Sequence, residues 1–245
     1  MKMKLKITAM LTAVCVVFST MFVATPEKVE AAPGSISVLC IGNSITKHPQ
    51  IPDFWWGDWG MAATTVNTDY VHLLQAYLTQ RYSSVSVTPV SLVNWEKSAG
   101  QRENFVGVLD PYLASQPDVV TIELGENCAN LGNFLFDYVY LINYIKWKSP
   151  GSKVILVGTI TTTWCDPSVE YYKQYAYHIC KYAGYDIEYV DTAAVMNNPA
   201  GLSYIGELVA GWDFQWHAIN NISVALHPND YVMDFIARGI YQKIR

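Results

Sequence analysis

Five short runs of β-branched and apolar residues recur along the chain, each followed by a longer amphipathic stretch, and this alternation limits the fold more than any other feature. The runs cover 35–41, 85–93, 118–124, 153–160 and 187–191, and the stretches with helical spacing cover 68–82, 101–114, 131–147, 168–182 and 231–244. Parallel strands need crossover connections and are buried on both faces, so near-continuous apolar runs joined by amphipathic helices predict an α/β fold. Its centre is a five-stranded parallel sheet with helices on both faces. No solenoid-type repeat and no low-complexity linker interrupts the pattern, which makes 32–245 one expected domain.

The first 31 residues read differently. Lys2, Lys4 and Lys6 precede an uncharged apolar run over 7–24, and Val29 and Ala31 supply small residues for a cut before Ala32. This is the pattern of a signal peptide, so the expectation is a secreted, extracellular protein of bacterial type with no stable membrane anchor after cleavage. Losing four lysines and two glutamates changes the formal net charge from −5 to −7. An acidic chain without a Lys/Arg cluster lacks the electrostatic footprint of a nucleic-acid or anionic-membrane partner. Cys40, Cys128, Cys165 and Cys180 remain. Cys128 and Cys165 fall in loops on one edge of the sheet, and a Cys128–Cys165 bridge is the pairing this favours. No Cys-x-x-Cys or His-rich spacing suggests a metal site, and no cofactor is expected.

In such sheets ligands bind beyond the carboxyl ends of the strands. There the chain places Gly42-Asn43-Ser44, then Asn94-Trp95-Glu96-Lys97-Ser98-Ala99-Gly100, then Gly125-Glu126-Asn127. Ser44 follows the first strand in a turn that Gly42 permits. Alone, such a serine is more often a turn or cap residue. His227 opens His227-Pro228-Asn229-Asp230 before the last amphipathic stretch, with Pro228 suited to a helix start. His48, His72 and His178 lack such a setting, and His217 near Asp213 is a reserve candidate. A nucleophile, a base and donors for a developing oxyanion are the parts that ester hydrolysis needs.

Taken together, Ile41-Gly42-Asn43-Ser44-Ile45-Thr46, Gly100, Leu124-Gly125-Glu126-Asn127 and His227 resemble the blocks of the SGNH (GDSL-like) hydrolase family, in order and over essentially the whole mature chain. The resemblance implies a three-layer flavodoxin-like fold and a secreted serine esterase. Ser44 would be the nucleophile and His227 its base. The backbone N–H groups of Ser44 and Gly100 and the side-chain amide of Asn127 would form the oxyanion hole. Asn43 stands where many members have Asp. The loop from Asn94 is about one residue longer than the common Asn-x-Gly-x-x-Gly form, with Asn94 the substitute should Gly100 be misplaced.

The chain departs from the family at the acid. Three residues before His227 stands Val224, flanked by Ser223 and Ala225, and none can be an anion. Three repairs are open: a backbone carbonyl near Val224 accepts the Nδ1 proton, an acid such as Asp213 or Asp191 reaches in, or the enzyme is slow or dead. The retained Ser, Asn and His blocks favour a Ser44–His227 dyad steadied by a carbonyl.

Between the Ser block and the first helix lies an aromatic stretch containing Trp55, Trp56, Asp58 and Trp59. Aromatic faces beside carboxylates suit sugar rings, although such residues equally pack lids onto cores. The leading expectation is O-deacetylation of an extracellular carbohydrate. A lipid or lysophospholipid esterase is the rival within the same chemistry, and a non-catalytic carbohydrate-binding protein on the same frame is the rival outside it. A phosphate-binding module is disfavoured because no Gly-rich loop follows the first strand.

Overall fold

The computed structural model describes residues 34–244. The leader reading of 1–31 lies outside the described residues.

Strands β1 (Ser35–Gly42), β2 (Ser84–Ser91), β3 (Val119–Glu123), β4 (Lys153–Val157) and β5 (Ile187–Val190) form one parallel sheet in the order β2-β1-β3-β4-β5. The five strands are those expected, and the order is that of a doubly wound sheet with its switch point between β1 and β3. Side chains alternate across β1. Ile36, Val38 and Cys40 join one buried cluster, whereas Leu39 and Ile41 join the other. Helices α1 (Tyr70–Thr79) and α7 (Asp230–Lys243) cover the first face, through Tyr70, Leu74 and Leu78 and through Val232, Ile236 and Ile240. Helices α4 (Phe134–Lys148) and α5 (Val169–Tyr182) cover the second, through Tyr138, Leu141 and Ile145 and through Val169, Ala176 and Cys180. β2 tolerates Pro89 because, among the described residues, it is an edge strand of the sheet.

Local chemistry sets the helix starts. Asp69 caps α1, accepting from His72 N at 2.8 Å, and Asn229 caps α7, accepting from Val232 N at 3.3 Å. Pro228 therefore precedes the cap of α7 instead of opening its first turn. Two expected boundaries shift. β2 ends at Ser91 because Val93–Lys97 forms a short helix, α2, and the expected helix over 101–114 is a 3-10 stretch (Arg102–Leu109) followed by α3 (Asp110–Leu113). A hairpin of β6 (Leu208–Ala210) and β7 (Trp216–Ala218), then α6 (Ile222–Ala225), precedes α7. These pieces are too short to show a period in the sequence.

The Cys128–Cys165 expectation is corrected: all four cysteines of the described residues are free thiols. Cys128 Sγ points to the Glu96 carbonyl at 3.6 Å and Cys165 Sγ to the Thr161 carbonyl at 3.7 Å, so each is turned to a different backbone segment.

Candidate active site

Ser44 stands in the turn that leaves β1. A side chain at Gly42 would meet Thr46 Oγ1 at 1.8 Å and the Glu123 carbonyl at 2.8 Å, so only glycine lets the turn close against β3. Asn43 fixes the turn. Its side-chain oxygen accepts from Ile45 N at 2.9 Å, and its carbonyl accepts from Thr46 N and Lys47 N at 3.1 and 3.0 Å.

His227 meets Ser44 across 183 positions of sequence, with Nε2 2.7 Å from Oγ. Its other ring nitrogen, Nδ1, lies 2.8 Å from the carbonyl oxygen of Ser223. A carbonyl can only accept, so Nδ1 carries the proton and Nε2 presents its lone pair to the serine hydroxyl. Burial pushes the His227 imidazole down to about 4, which keeps it neutral and able to accept a proton at ordinary pH. The Trp164 ring, 5.3 Å from the imidazole at 41°, is part of that dry surround.

The pair opens into a cavity of about 480 Å³. His48, Phe54 and Met61 wall it from the segment after the Ser44 turn, Val93 and Lys97 from α2, and Asn127 and Trp164 from the loops after β3 and β4. The Asn127 amide donates to Glu96 Oε2 at 2.7 Å, which leaves its second N–H for the cavity. Among the described residues no group of three or more His, Cys, Asp or Glu could hold a metal ion.

Several expected site residues lie elsewhere. Gly100 adopts the left-handed φ of +82° but is exposed and does not line the cavity, and Asn94 on α2 is exposed too. Ala99, the neighbour of Gly100, lies beside Gly132, where an added Cβ would come 3.6 Å from the Ala99 side chain, and a Cβ at Gly100 would meet no atom within 4 Å. Asp213 pairs with His217, both carboxylate oxygens lying 3.0 Å from Nε2, and Asp191 accepts from Ala193 N at 2.9 Å. Neither acid is the partner of His227, whose Nδ1 is taken by Ser223. As substrate contacts, Trp55 and Trp59 are corrected: at 0% and 3% exposure they are core residues packed edge to face. Trp56 stacks on His217 with ring centres 4.6 Å apart, and Asp58 accepts from Trp212 Nε1 at 3.2 Å, so both belong to the packing under the β6–β7 hairpin. From the same aromatic stretch it is Phe54 that reaches the cavity. Trp164 lies in the loop after β4, at the same edge of the sheet as Ser44, but seven residues past the strand's end, where its side-chain direction is not readable from sequence.

No curated protein sequence matches the chain. Among solved structures it is similar to a family two carbohydrate esterase from Clostridium thermocellum in complex with cellohexaose, at 15% identity and a TM-score of 0.53. That match covers 91% of this chain but only 66% of the longer esterase. It is also similar to an acetyl xylan esterase from Geobacillus stearothermophilus (21% identity, TM-score 0.52, covering 85% of this chain and 94% of that one). A third is a psychrotrophic esterase from Pseudoalteromonas sp. inhibited by monoethylphosphonate (14% identity, TM-score 0.51, covering 85% and 96%). Identities this low speak to the fold. The family is carried by the sequence itself, which matches the GDSL-like Lipase/Acylhydrolase family over residues 40–233, a span that takes in Ser44, Asn127 and His227. The chain thus belongs to the GDSL-like lipase/acylhydrolase family and is a carboxylic ester hydrolase.

Proposed function

We propose that the chain removes O-acetyl groups from an extracellular carbohydrate by a Ser44–His227 dyad. The observation that carries the reading is the 2.7 Å contact between Ser44 Oγ and His227 Nε2, with Nδ1 anchored on a carbonyl. Ser44 attacks the acyl carbon and gives its proton to Nε2. The N–H of Ser44 and the free N–H of Asn127 face the oxyanion that forms on the acyl oxygen. The imidazolium then protonates the departing sugar oxygen, and the acetyl group stays on Ser44. Water, deprotonated by the same Nε2, returns the serine and releases acetate.

Three considerations support carbohydrate as the alcohol side. The similar folds include a carbohydrate esterase in complex with cellohexaose and an acetyl xylan esterase. The rings of Phe54 and Trp164 at the cavity offer faces to a pyranose, with His48 and Lys97 supplying polar contacts. The leader reading of 1–31 points to a substrate outside the cell. The test is hydrolysis of p-nitrophenyl acetate and acetate release from acetylated xylan by the wild type, Ser44→Ala and His227→Ala. Loss of both activities in both variants is expected. A preference for long-chain over acetyl esters would sink the carbohydrate reading, and activity that survives Ser44→Ala would sink the dyad.

A further inference from the structure

Under the cavity floor lies a buried carboxylate that the reaction steps above leave without a task. Glu96, on α2, is 1% exposed. Its Oε1 accepts from Gly125 N and from Asn43 Nδ2, the latter at 3.2 Å, and its Oε2 accepts from Asn127 Nδ2 at 2.7 Å. One carboxylate therefore grips the neighbour of the nucleophile, the exit of β3 and the oxyanion amide. The second N–H of Asn43 goes to Glu126 Oε2 at 3.0 Å, and Glu126 Oε1 accepts from Ile160 N at 2.9 Å. Glu126 also faces buried Glu123, whose carboxyl is pushed up by burial and next by the Glu126 charge. This accounts for Asn43 in the Ser block: between two carboxylates only a side chain with two N–H groups satisfies both, and Asp would add a third anion.

We propose that Glu96 is a positioning residue whose ionised carboxylate turns the Asn127 amide so that its second N–H meets the acyl oxygen, and ties that amide through Asn43 to the Ser44 turn. The inference rests on the esterase reading of Ser44 and His227. All three partners of the carboxylate are N–H donors, so a proton on Glu96 weakens their hold, most of all at Oε2, which has a lone pair to spare and carries Asn127. The titratable and charged groups around it set where that happens. Glu126 faces it and Glu123 lies behind. Lys173, fully buried on α5, draws Glu123 in the opposite sense, while Arg102 and the Cys128 thiol meet Glu96 at its backbone carbonyl and not at its carboxylate. Burial, and next the Glu126 charge, push the Glu96 carboxyl up to about 7. Asn127 is thus held tightly while Glu96 is ionised and more loosely once Glu96 takes a proton.

The decisive experiment follows p-nitrophenyl acetate hydrolysis from pH 4 to 9 for the wild type, Glu96→Gln, Asn127→Ala and the double variant. In parallel, NMR follows the Asn127 side-chain amide, assigned through Asn127→Ala. Gln cannot accept all three N–H groups, so kcat should fall about 10²-fold with KM changed less than about threefold, the loss typical of one oxyanion donor. The double variant should be no worse than Asn127→Ala alone. The wild-type kcat should decline as pH drops through about 7, a limb missing in Glu96→Gln, and the amide should titrate over the same range. Additive losses, a wild-type kcat in Glu96→Gln, or an amide silent between pH 6 and 8 would overturn the proposal. Should Glu96→Gln not fold, the wild-type amide titration decides. A wild type that hydrolyses no ester and is not labelled at Ser44 by a fluorophosphonate overturns the esterase reading, and this inference with it. An active, labelled wild type with additive losses overturns the Glu96 role alone.

Discussion

The carbonyl oxygen of Ser223 lies 2.8 Å from Nδ1 of His227, four residues further along the chain. The last carbonyls of a helix have no partner inside it, and α6 ends two residues before His227. The imidazole takes up one of these orphan groups, just as its own backbone N–H bonds the Val224 carbonyl at 3.0 Å. A helix end thereby does part of a carboxylate's work: it fixes the tautomer and the ring plane. It supplies a dipole but no full charge to the imidazolium.

Restoring the family's acid should therefore fail. Val224 is fully buried in the apolar cluster that α7 covers. Val224→Asp places an unpaired carboxylate there, at a cost of about 3 kcal/mol or more, which for a domain of this size lowers Tm by roughly 10 °C. Calorimetry and p-nitrophenyl acetate kinetics on the same sample check this. Unchanged Tm with a higher kcat would show that the side chain can swing to Nδ1.

Asp213→Asn should leave ester hydrolysis within about twofold of wild type, the ordinary scatter of a surface change remote from the site. Its carboxylate is held below the usual range by His217, and both belong to the β6–β7 hairpin against Trp56. A loss of tenfold or more in kcat/KM would mean that the hairpin reaches the dyad during turnover.

The residues differ in how far sequence revealed them, and the reason is physical. β1, β3 and β4 are buried on both faces, so their apolar runs were unambiguous, and Ser44 and Asn127 follow directly on two of them. His227 was legible through the capped helix behind it. What sequence could not supply was anything set by a backbone atom or by side-chain direction. The Ser223 carbonyl carries no residue signature. Trp55, Trp56 and Trp59 look alike in composition, yet two point into the core and one onto a histidine. Glu96 reads as an ordinary charged position on a loop until α2 turns it inward beneath Asn127.

Trp164→Ala should make His227 easier to protonate. The ring helps to exclude water from the imidazole, and exclusion of water is the main cause that holds His227 at about 4. With the indole removed, the ring C–H resonances of His227, followed by NMR, should titrate higher, toward the ordinary histidine value of about 6.5. An unmoved midpoint would assign the dryness to the other walls, Met61 and Phe54 among them.

His227 and Glu96 should pull the stability of the protein in opposite directions as pH changes. Between about 4 and the ordinary histidine value of 6.5, the unfolded chain binds a proton at His227 that the folded chain refuses, so this residue's contribution to folding is lost as pH falls. Between 4.5 and about 7, the folded chain keeps a proton on Glu96 that the unfolded chain releases, so its contribution is lost as pH rises. Each spans about 2.5 pH units, on the order of 3 kcal/mol, so the two largely offset where the windows overlap. Thermal unfolding of single variants separates them. Relative to wild type, Glu96→Gln should gain stability steadily from pH 4.5 to 7, because Gln resembles the protonated acid and has nothing to lose. His227→Ala should gain relative to wild type in the other direction, as pH drops from 6.5 toward 4. Parallel curves for Glu96→Gln and wild type would mean that Glu96 ionises in the folded protein much as it does in the unfolded chain, with its three N–H partners outweighing its burial.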